Sequence, residues 1–531
     1  MKKALLSIIL LVTLVLSQQP KAPKTTPSFF DLYDQNRKEQ IPNYISLDFI
    51  LTANYLFKQQ SITQMEEGEM YADFKKLAYG LKMNLLKEYN PFKHEALAYV
   101  LVLNKLLGNS IENAPKEAFH LAKQELGLIA KHQGIVVSPI AKVRMDYSQY
   151  KVRGKYQQSS ELSAYFLALK FMSYTPFMVN AHTATGVSPQ IAEQQLKNAH
   201  IISQALKPLM KLYNKIERRI QVLSGEGDDL SLALIANQPT DVTKIKNHLN
   251  GLKKYPKIGE RIIDTRAIKA HEIPYASLAL KLLPSRFTPD SYIFSQLTYP
   301  NVRQVKGQRN KLTSTIDGQA VRGYPTIMDI AEVVGKPTLR ELTNYQGYKE
   351  QVAKLRSMRF SEQSIYGYDF KIYTKLLQQG KVDSFKGYYT QSRYIMNLYQ
   401  KQSYTGGLKS IFIDERKKAY LEKDIGAILN LLIAEDKLLP SSKAFRDILE
   451  RLVVLDKKAN RFDANDVVFL NNLDSKFKSI LEDKDTPIEV DIHTNPVEGR
   501  VLYEVLKEPF VRDVNGFRGA FYHWDEVVKR R

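Results

Sequence analysis

The sequence predicts a mainly α fold, a large multi-helix body with a small C-terminal antiparallel β-sheet. Three observations predict it. Apolar residues recur at helical spacing through most of the chain. Strand-like alternation is concentrated in the last 45 residues. At 531 residues the chain exceeds what one core usually holds, so about two to four domains or subdomains are expected.

The first residues read as a targeting signal. Lys2 and Lys3 make a basic start, Ala4–Leu16 is a 13-residue apolar run, and Val15-Leu16-Ser17 offers a cleavage site before Gln18. A membrane anchor is the competing reading, but a spanning helix needs roughly 20 apolar residues. Cleavage is therefore favoured. The mature chain is expected to be soluble, secreted or periplasmic, with no transmembrane anchor.

The rest divides by composition. Residues 18–40 form a polar linker opening on "QQPKAPKTTPS", and 41–282 form a first helical region. Within it, "SLDFILTANYLFKQQ" places Leu47, Ile50, Leu51 and Tyr55 at helical spacing behind Ser46 as N-cap. Residues 94–108 are apolar nearly all round and end at Gly108, which predicts a buried core helix. Residues 115–134 run from Pro115 to Gly134 as a further helix. Residues 188–225 predict a long helix or a pair broken near Pro208.

Residues 283–330 are richer in Pro, Gly, Thr and Arg and read as long loops, where function often sits. A second helical region, 331–485, is expected to hold helices at 338–357, 365–379, 388–401, 416–437, 443–456 and 464–482. The segment 486–531 alternates as short strands around Asn515-Gly516, a favoured hairpin turn.

Composition excludes several chemistries. With no cysteine, thiolate catalysis, thiolate metal sites and redox pairs are ruled out, and an exported chain must rely on core burial. The formal charge is +21, and removing Lys2 and Lys3 with the signal leaves +19. A protein this basic is drawn to polyanions, namely acidic polysaccharide, anionic lipid or nucleic acid. A lysine-rich surface that serves solubility alone carries equal weight. Nothing in the sequence supports sequence-specific nucleic-acid binding.

Familiar catalytic motifs are missing. His94-Glu95 and His271-Glu272 lack the second histidine of HExxH, and there is no GxSxG, phosphate loop or EF-hand. No cofactor is expected.

Four polar clusters remain. "MDYSQYKVRGKY" (145–156) carries Asp146 and Arg153. "SGEGDDLS" (224–231) carries Asp228 and Asp229, which suit either a hard cation or, more commonly, a helix cap. "PSRFTPDSY" (284–292) carries Arg286 and Asp290, which in one reading pair with each other. The fourth, "EVDIHTNPVEGRVLYEV" (489–505), sets Asp491 and His493 on one face of a strand.

A basic stripe accompanies them. Lys207, Lys211, Lys215 and Arg219 recur every four residues, and Lys244, Lys246, Lys253, Lys254 and Lys257 follow. A solvated helix face is the common explanation, and a polyanion footprint is the minority one.

In this order the clusters resemble the domain of unknown function 3160 family, largely exported prokaryotic proteins. The matching stretches are "IPNYISLDFILTANYLF", "DYSQYKVRGKYQQSSELSAYF", "LSGEGDDLS", "PSRFTPDSYIFSQLTYP", "YPTIMDIAEVVG", "LYQKQSY" and "DIHTNP", from about Ile41 to Trp524. The family brings no known activity.

The departures are informative. Where the pattern carries two histidines after Asp48, this chain has Thr52 and Tyr55. Arg-Gly-His-Tyr becomes Arg153-Gly154-Lys155-Tyr156. A His-Asp pair is replaced by Tyr394-Ile395, which leaves His493 as the retained histidine. The resemblance thus argues against a histidine-rich metallohydrolase, while carboxylate chemistry through Asp48, Asp146, Asp228 or Asp229 stays open.

Three readings compete. The leading one is an exported, non-catalytic binding or structural protein at an anionic polysaccharide or lipid surface. The second is an extracytoplasmic hydrolase in a helical scaffold, acting through two carboxylates roughly 5–9 Å apart. The third is a metal-dependent enzyme built on Asp491, His493 and an acidic loop. Convergence of Asp48, Arg153, Asp229, Arg286 and His493 on one pocket would mark an ancestral site.

Overall fold

The computed structural model describes residues 37–482 except 41, 43–44, 46, 88, 182–185, 228–229, 252–278, 287, 311, 317, 326, 335–343, 359–363, 379–424, 440–442 and 460. The signal segment, the helix expected at 388–401 and the C-terminal sheet with Asp491 and His493 lie outside the described residues.

The fold is mainly α. The first helix, α1 (Leu47–Met65), runs through a π-helical turn, Glu66–Met70, into α2 (Tyr71–Lys87). Next comes α3 (His94–Leu106), buried from Ala96 to Asn104 as its all-round apolar character requires. The amphipathic helix α4 (Lys116–Lys131) leads into a hairpin of β1 (Ile135–Val137) and β2 (Arg144–Asp146).

Helix α5 (Ser160–Tyr174) begins where the Ser159 hydroxyl accepts the Leu162 N–H at 3.1 Å. The expected pair at 188–225 is α6 (Pro189–Leu206) and α7 (Met210–Ser224), separated by a 3-10 turn containing Pro208. Helix α8 (Val242–Gly251) follows.

Three very short strands, β3 (Phe177–Met178), β4 (Leu230–Ser231) and β5 (Ala279–Lys281), form a buried sheet in the order β3-β5-β4. Its pairing is antiparallel on one side of β5 and parallel on the other.

The stretch read as long loops contains more order than expected. It holds α9 (Pro289–Gln296), a hairpin of β6 (Thr313–Ile316) and β7 (Gln319–Arg322), and the start of α10 (Ile327–Val333). The segment 303–306 lies along β7, with Val305 N–H on Ala320 O and Arg322 N–H on Arg303 O. On its other side run residues 344–346, through Arg303 N–H to Gln346 O and Lys306 N–H to Asn344 O.

That pairing corrects the helix expected at 338–357. Residues 344–346 spend their backbone groups on this sheet, and Gly347 turns at φ +82 before α11 (Tyr348–Arg356) begins. Helix α12 (Ile365–Gln378) agrees with expectation. Of the helix expected at 416–437, the described part is α13 (Gly426–Asp436). Helix α14 (Lys443–Lys457) follows. The stretch 464–482 is two helices, α15 (Ala464–Asn471) and α16 (Leu473–Glu482). They break at Asn472, whose side chain donates back to Val468 O at 2.8 Å. No helix of the described residues is long and apolar enough to cross a membrane.

The apolar side chains form two cores. The first gathers α2 to α8 with the β3-β5-β4 sheet. The second gathers Ile45 to Phe57 with residues from α9 onward, including α13, α14 and Phe477 of α16. Helix α1 serves both, since Phe57 belongs to the second core and Ile62 to the first.

Candidate functional site

The structure places the predicted clusters unequally. Asp146 ends β2 and caps the following 3-10 turn, accepting from Ser148 N–H and from Gln149 Nε2, each at 3.0 Å. Arg153 is exposed at the start of the next turn. Asp48 falls in the first turn of α1. Asp228 and Asp229 lie outside the described residues. Their loop is nevertheless joined to the 284–292 loop by a backbone bridge between Gly227 and Arg286.

Arg286 and Asp290 are both buried. The Arg286 guanidinium forks onto Glu217 of α7 at 2.6 and 2.7 Å, and Asp290 accepts the Tyr366 hydroxyl at 2.5 Å. Two of the four clusters thus meet beside α7, and Arg286 and Asp290 of the second carry contacts to α7 and α12.

Sequence reasoning missed a more concentrated constellation. Lys58 of α1 donates to Asp369 of α12 at 2.5 Å and to Glu435 of α13 at 2.6 Å. Asn54, one turn earlier, donates to the other Glu435 oxygen at 3.2 Å. The side chains are 3%, 7% and 1% exposed for Lys58, Asp369 and Glu435. They stand where all three helices pass from one core to the other. Ile62, Ile365 and Leu439 pack in the first core, and Phe57, Phe370 and Leu432 in the second.

One cation between two carboxyls leaves an excess negative charge in a low dielectric. Asp369 is accordingly held well above the ordinary carboxylate range, chiefly by burial and then by Glu435 beside it. The pair can share a proton. The readable signal was phase, for Lys58, Asp369 and Glu435 sit at buried positions on largely apolar helix faces.

A second buried carboxyl sits on the π-helical turn. Lys155 Nζ reaches Glu66 Oε2 at 2.5 Å, and the Tyr156 hydroxyl donates to Oε1 at 3.3 Å. Burial still raises the Glu66 pKa, although Lys155 pulls it back. π-turns of this kind recur at functional sites. A third, Glu125, accepts the Ser138 and Tyr147 hydroxyls at 2.7 Å each and is raised by burial. It fastens the β1–β2 loop to α4. Among the described residues no three His, Asp or Glu side chains group as metal ligands.

The basic stripe divides in two. Lys215 pairs with Asp73 at 2.8 Å, and Arg219 pairs with both Asp73 and Glu69, so these cations hold α7 to α2. Lys207 and Lys211 are exposed and enter no ion pair among the described residues. On α8, Lys244 is exposed and Lys246 half-buried, while Lys253, Lys254 and Lys257 lie outside the described residues. The excess charge is also uneven along the chain. Residues 1–380 carry 51 basic against 32 acidic side chains, and 381–531 carry 26 against 24.

A family model described as a protein of unknown function (DUF3160) matches residues 8–380. The matched length stops short of "LYQKQSY" and "DIHTNP", so it is narrower at its C-terminal end than the expected reach to Trp524. No curated protein and no solved structure matches the chain.

Proposed function

The chain belongs to the DUF3160 family, and from that premise we propose that this member is an exported, non-catalytic protein that binds an anionic polysaccharide or an anionic lipid surface. The observation that supports it is a division of labour among charges. Glu66, Glu125, Asp290, Asp329, Asp369 and Glu435 are buried and bound to internal cations or hydroxyls. Lys207, Lys211 and Lys244 meanwhile stand in solvent. The surplus of positive charge falls within the family-matched part of the chain.

Export is proposed from Lys2, Lys3 and the apolar run that follows. The test is retention of the purified mature protein on immobilised heparin, polygalacturonate and anionic vesicles over a salt series. Retention at low salt that falls steeply as salt rises is expected. No retention on any of the three at low ionic strength overturns the reading.

The Asp369–Glu435 pair favours one second reading, a carboxylate hydrolase. It needs the pair to become reachable by substrate. Polysaccharide cleavage by the wild type that disappears in Asp369→Asn would establish it.

A further inference from the structure

The octapeptide "RQVKGQRN", Arg303–Asn310, lies in the stretch that sequence reading took for loops. Its side chains are exposed throughout except Val305, which is half-buried against the second core. Arg303, Lys306 and Arg309 enter no ion pair among the described residues. Gln304 and Gln308 stand between them as exposed amides.

The backbone beneath is fixed on both sides. Arg303 and Val305 are bonded to β7, and Arg303 and Lys306 to residues 344–346. The turn after Lys306 needs its glycine, since Gly307 adopts φ +114 and an added Cβ would meet the Asn344 amide at 3.0 Å. Arg309 is oriented by a bond from Nη1 to Thr315 Oγ1 of β6 at 3.2 Å. Below the sheet, buried Arg322 forks onto Asp329 at 2.9 and 3.0 Å and lies over the Tyr348 ring, 4.9 Å from its centre. Tyr324, just past β7, presents a ring that is 42% exposed.

We propose that the ridge of Arg303, Lys306 and Arg309 is the docking site for an extended acidic polysaccharide. The inference rests on the polyanion-binding reading and gives it a place and a partner. Exposed cations distributed along a paired segment that bends after Lys306 suit a linear polymer rather than a compact anion. Two of the three are arginines, whose planar forks match carboxylate and sulfate groups. The interleaved glutamines offer both donors and acceptors to sugar hydroxyls. Tyr324 supplies a flat apolar face at one end, as a sugar ring requires. An anionic membrane is the poorer fit, because lipid recognition draws on clusters of about 4–8 cations or an amphipathic helix. A fixed backbone means little ordering cost on binding.

The test uses the full mature chain with heparin, polygalacturonate and phosphatidylglycerol vesicles as probes. Three variants are compared: Arg303→Gln/Lys306→Gln/Arg309→Gln, Lys105→Gln/Lys116→Gln/Lys131→Gln as an equal-charge control on exposed lysines outside both basic clusters, and Tyr324→Ala. The ridge variant is expected to lose at least about ten-fold in polysaccharide affinity and to lower the slope of log affinity against log salt by about two. The control is expected to change two-fold or less. Tyr324→Ala is expected to weaken binding without altering the salt slope. All six substituted cations are solvent-facing or half-exposed, and thermal melting checks that each variant folds.

Equal losses in the ridge and control variants, or an unchanged ridge variant, overturn the ridge while leaving the broader reading intact. Binding to vesicles alone overturns the choice of partner. Failure of the wild type to bind any probe removes both.

Discussion

Lys155 Nζ lies 2.5 Å from Glu66 Oε2, which places a cation from the Arg153–Tyr156 turn directly on a carboxylate buried in the π-helical turn after α1. The resemblance to the family implies a histidine at this position in the family pattern. Here a lysine occupies it, and the pair ties α5's leading turn to the start of α2.

Removing the cation should therefore be felt as a buried charge left alone. Lys155→Met is expected to cost about 2–4 kcal/mol at pH 8. Burial raises the Glu66 pKa. Such a carboxyl gives stability that is fully present below its unfolded value of about 4.3 and is lost as pH rises through the folded value. The deficit of the variant should thus shrink at pH 5. Urea midpoints at the two pH values decide it, and an equal deficit at both would show that Glu66 is not the source.

Asp369 obeys the same sign. Its pKa is raised well above the ordinary value by burial and by Glu435. Its contribution is complete below about 3.9 and fades as pH climbs through the folded value. Asp369→Asn keeps an acceptor for Lys58 and a donor for Glu435 without the titrating proton. The substitution is expected to be tolerated at pH 5, to stabilise at pH 8, and to flatten the slope between them. Lys58→Met should instead cost about 3–5 kcal/mol, since two carboxyls then share no cation. Denaturant titrations of both variants provide the comparison, and a steeper slope for Asp369→Asn would contradict the assignment.

Arg322 is fully buried, with its fork on Asp329 and a further bond of 2.5 Å to Leu297 O. Arg322→Lys keeps the charge and loses the fork and the ring stacking. A loss of about 2–4 kcal/mol is expected. Because Arg322 N–H bonds Arg303 O, amide exchange at 303–306 should also quicken. Hydrogen-exchange mass spectrometry of this peptide reads that effect directly.

Tyr99 carries a hydroxyl with no hydrogen-bond partner among the described residues, inside a fully buried ring packed against Phe171 and Phe177. An unmet buried hydroxyl costs about 1–3 kcal/mol. Tyr99→Phe is expected to raise the melting temperature by a few degrees. A fall on calorimetry would mean that the hydroxyl does have a partner.

Much of the helical body could be read from the sequence because its signals are local. Pro208 broke the long helix where expected, and Gly108 followed the predominantly apolar α3. The sheet β3-β5-β4 could not be read, since strands of two or three residues have no period to detect. The site was harder still. Lys58 meets Asp369 and Glu435 across 311 and 377 residues, and only the odd phase of three charged residues on apolar faces hints at it. The lysine stripe shows the opposite failure. Its period was correct, but the acidic partners of Lys215 and Arg219 come from a helix far earlier in the chain.

Helix α1 has one more consequence. Its Phe57 ring stacks on Phe445 at 4.6 Å, and its Asn54 and Lys58 bond Glu435, all beyond residue 380 where the family match ends. The outline of kinship is therefore not the outline of a folding unit. A chain cut at residue 380 would keep every matched residue, yet expose one flank of its first helix to water and leave Lys58 with Asp369 but without Glu435. Such a fragment should be recovered from inclusion bodies, and supplying 425–482 as a separate polypeptide should rescue it.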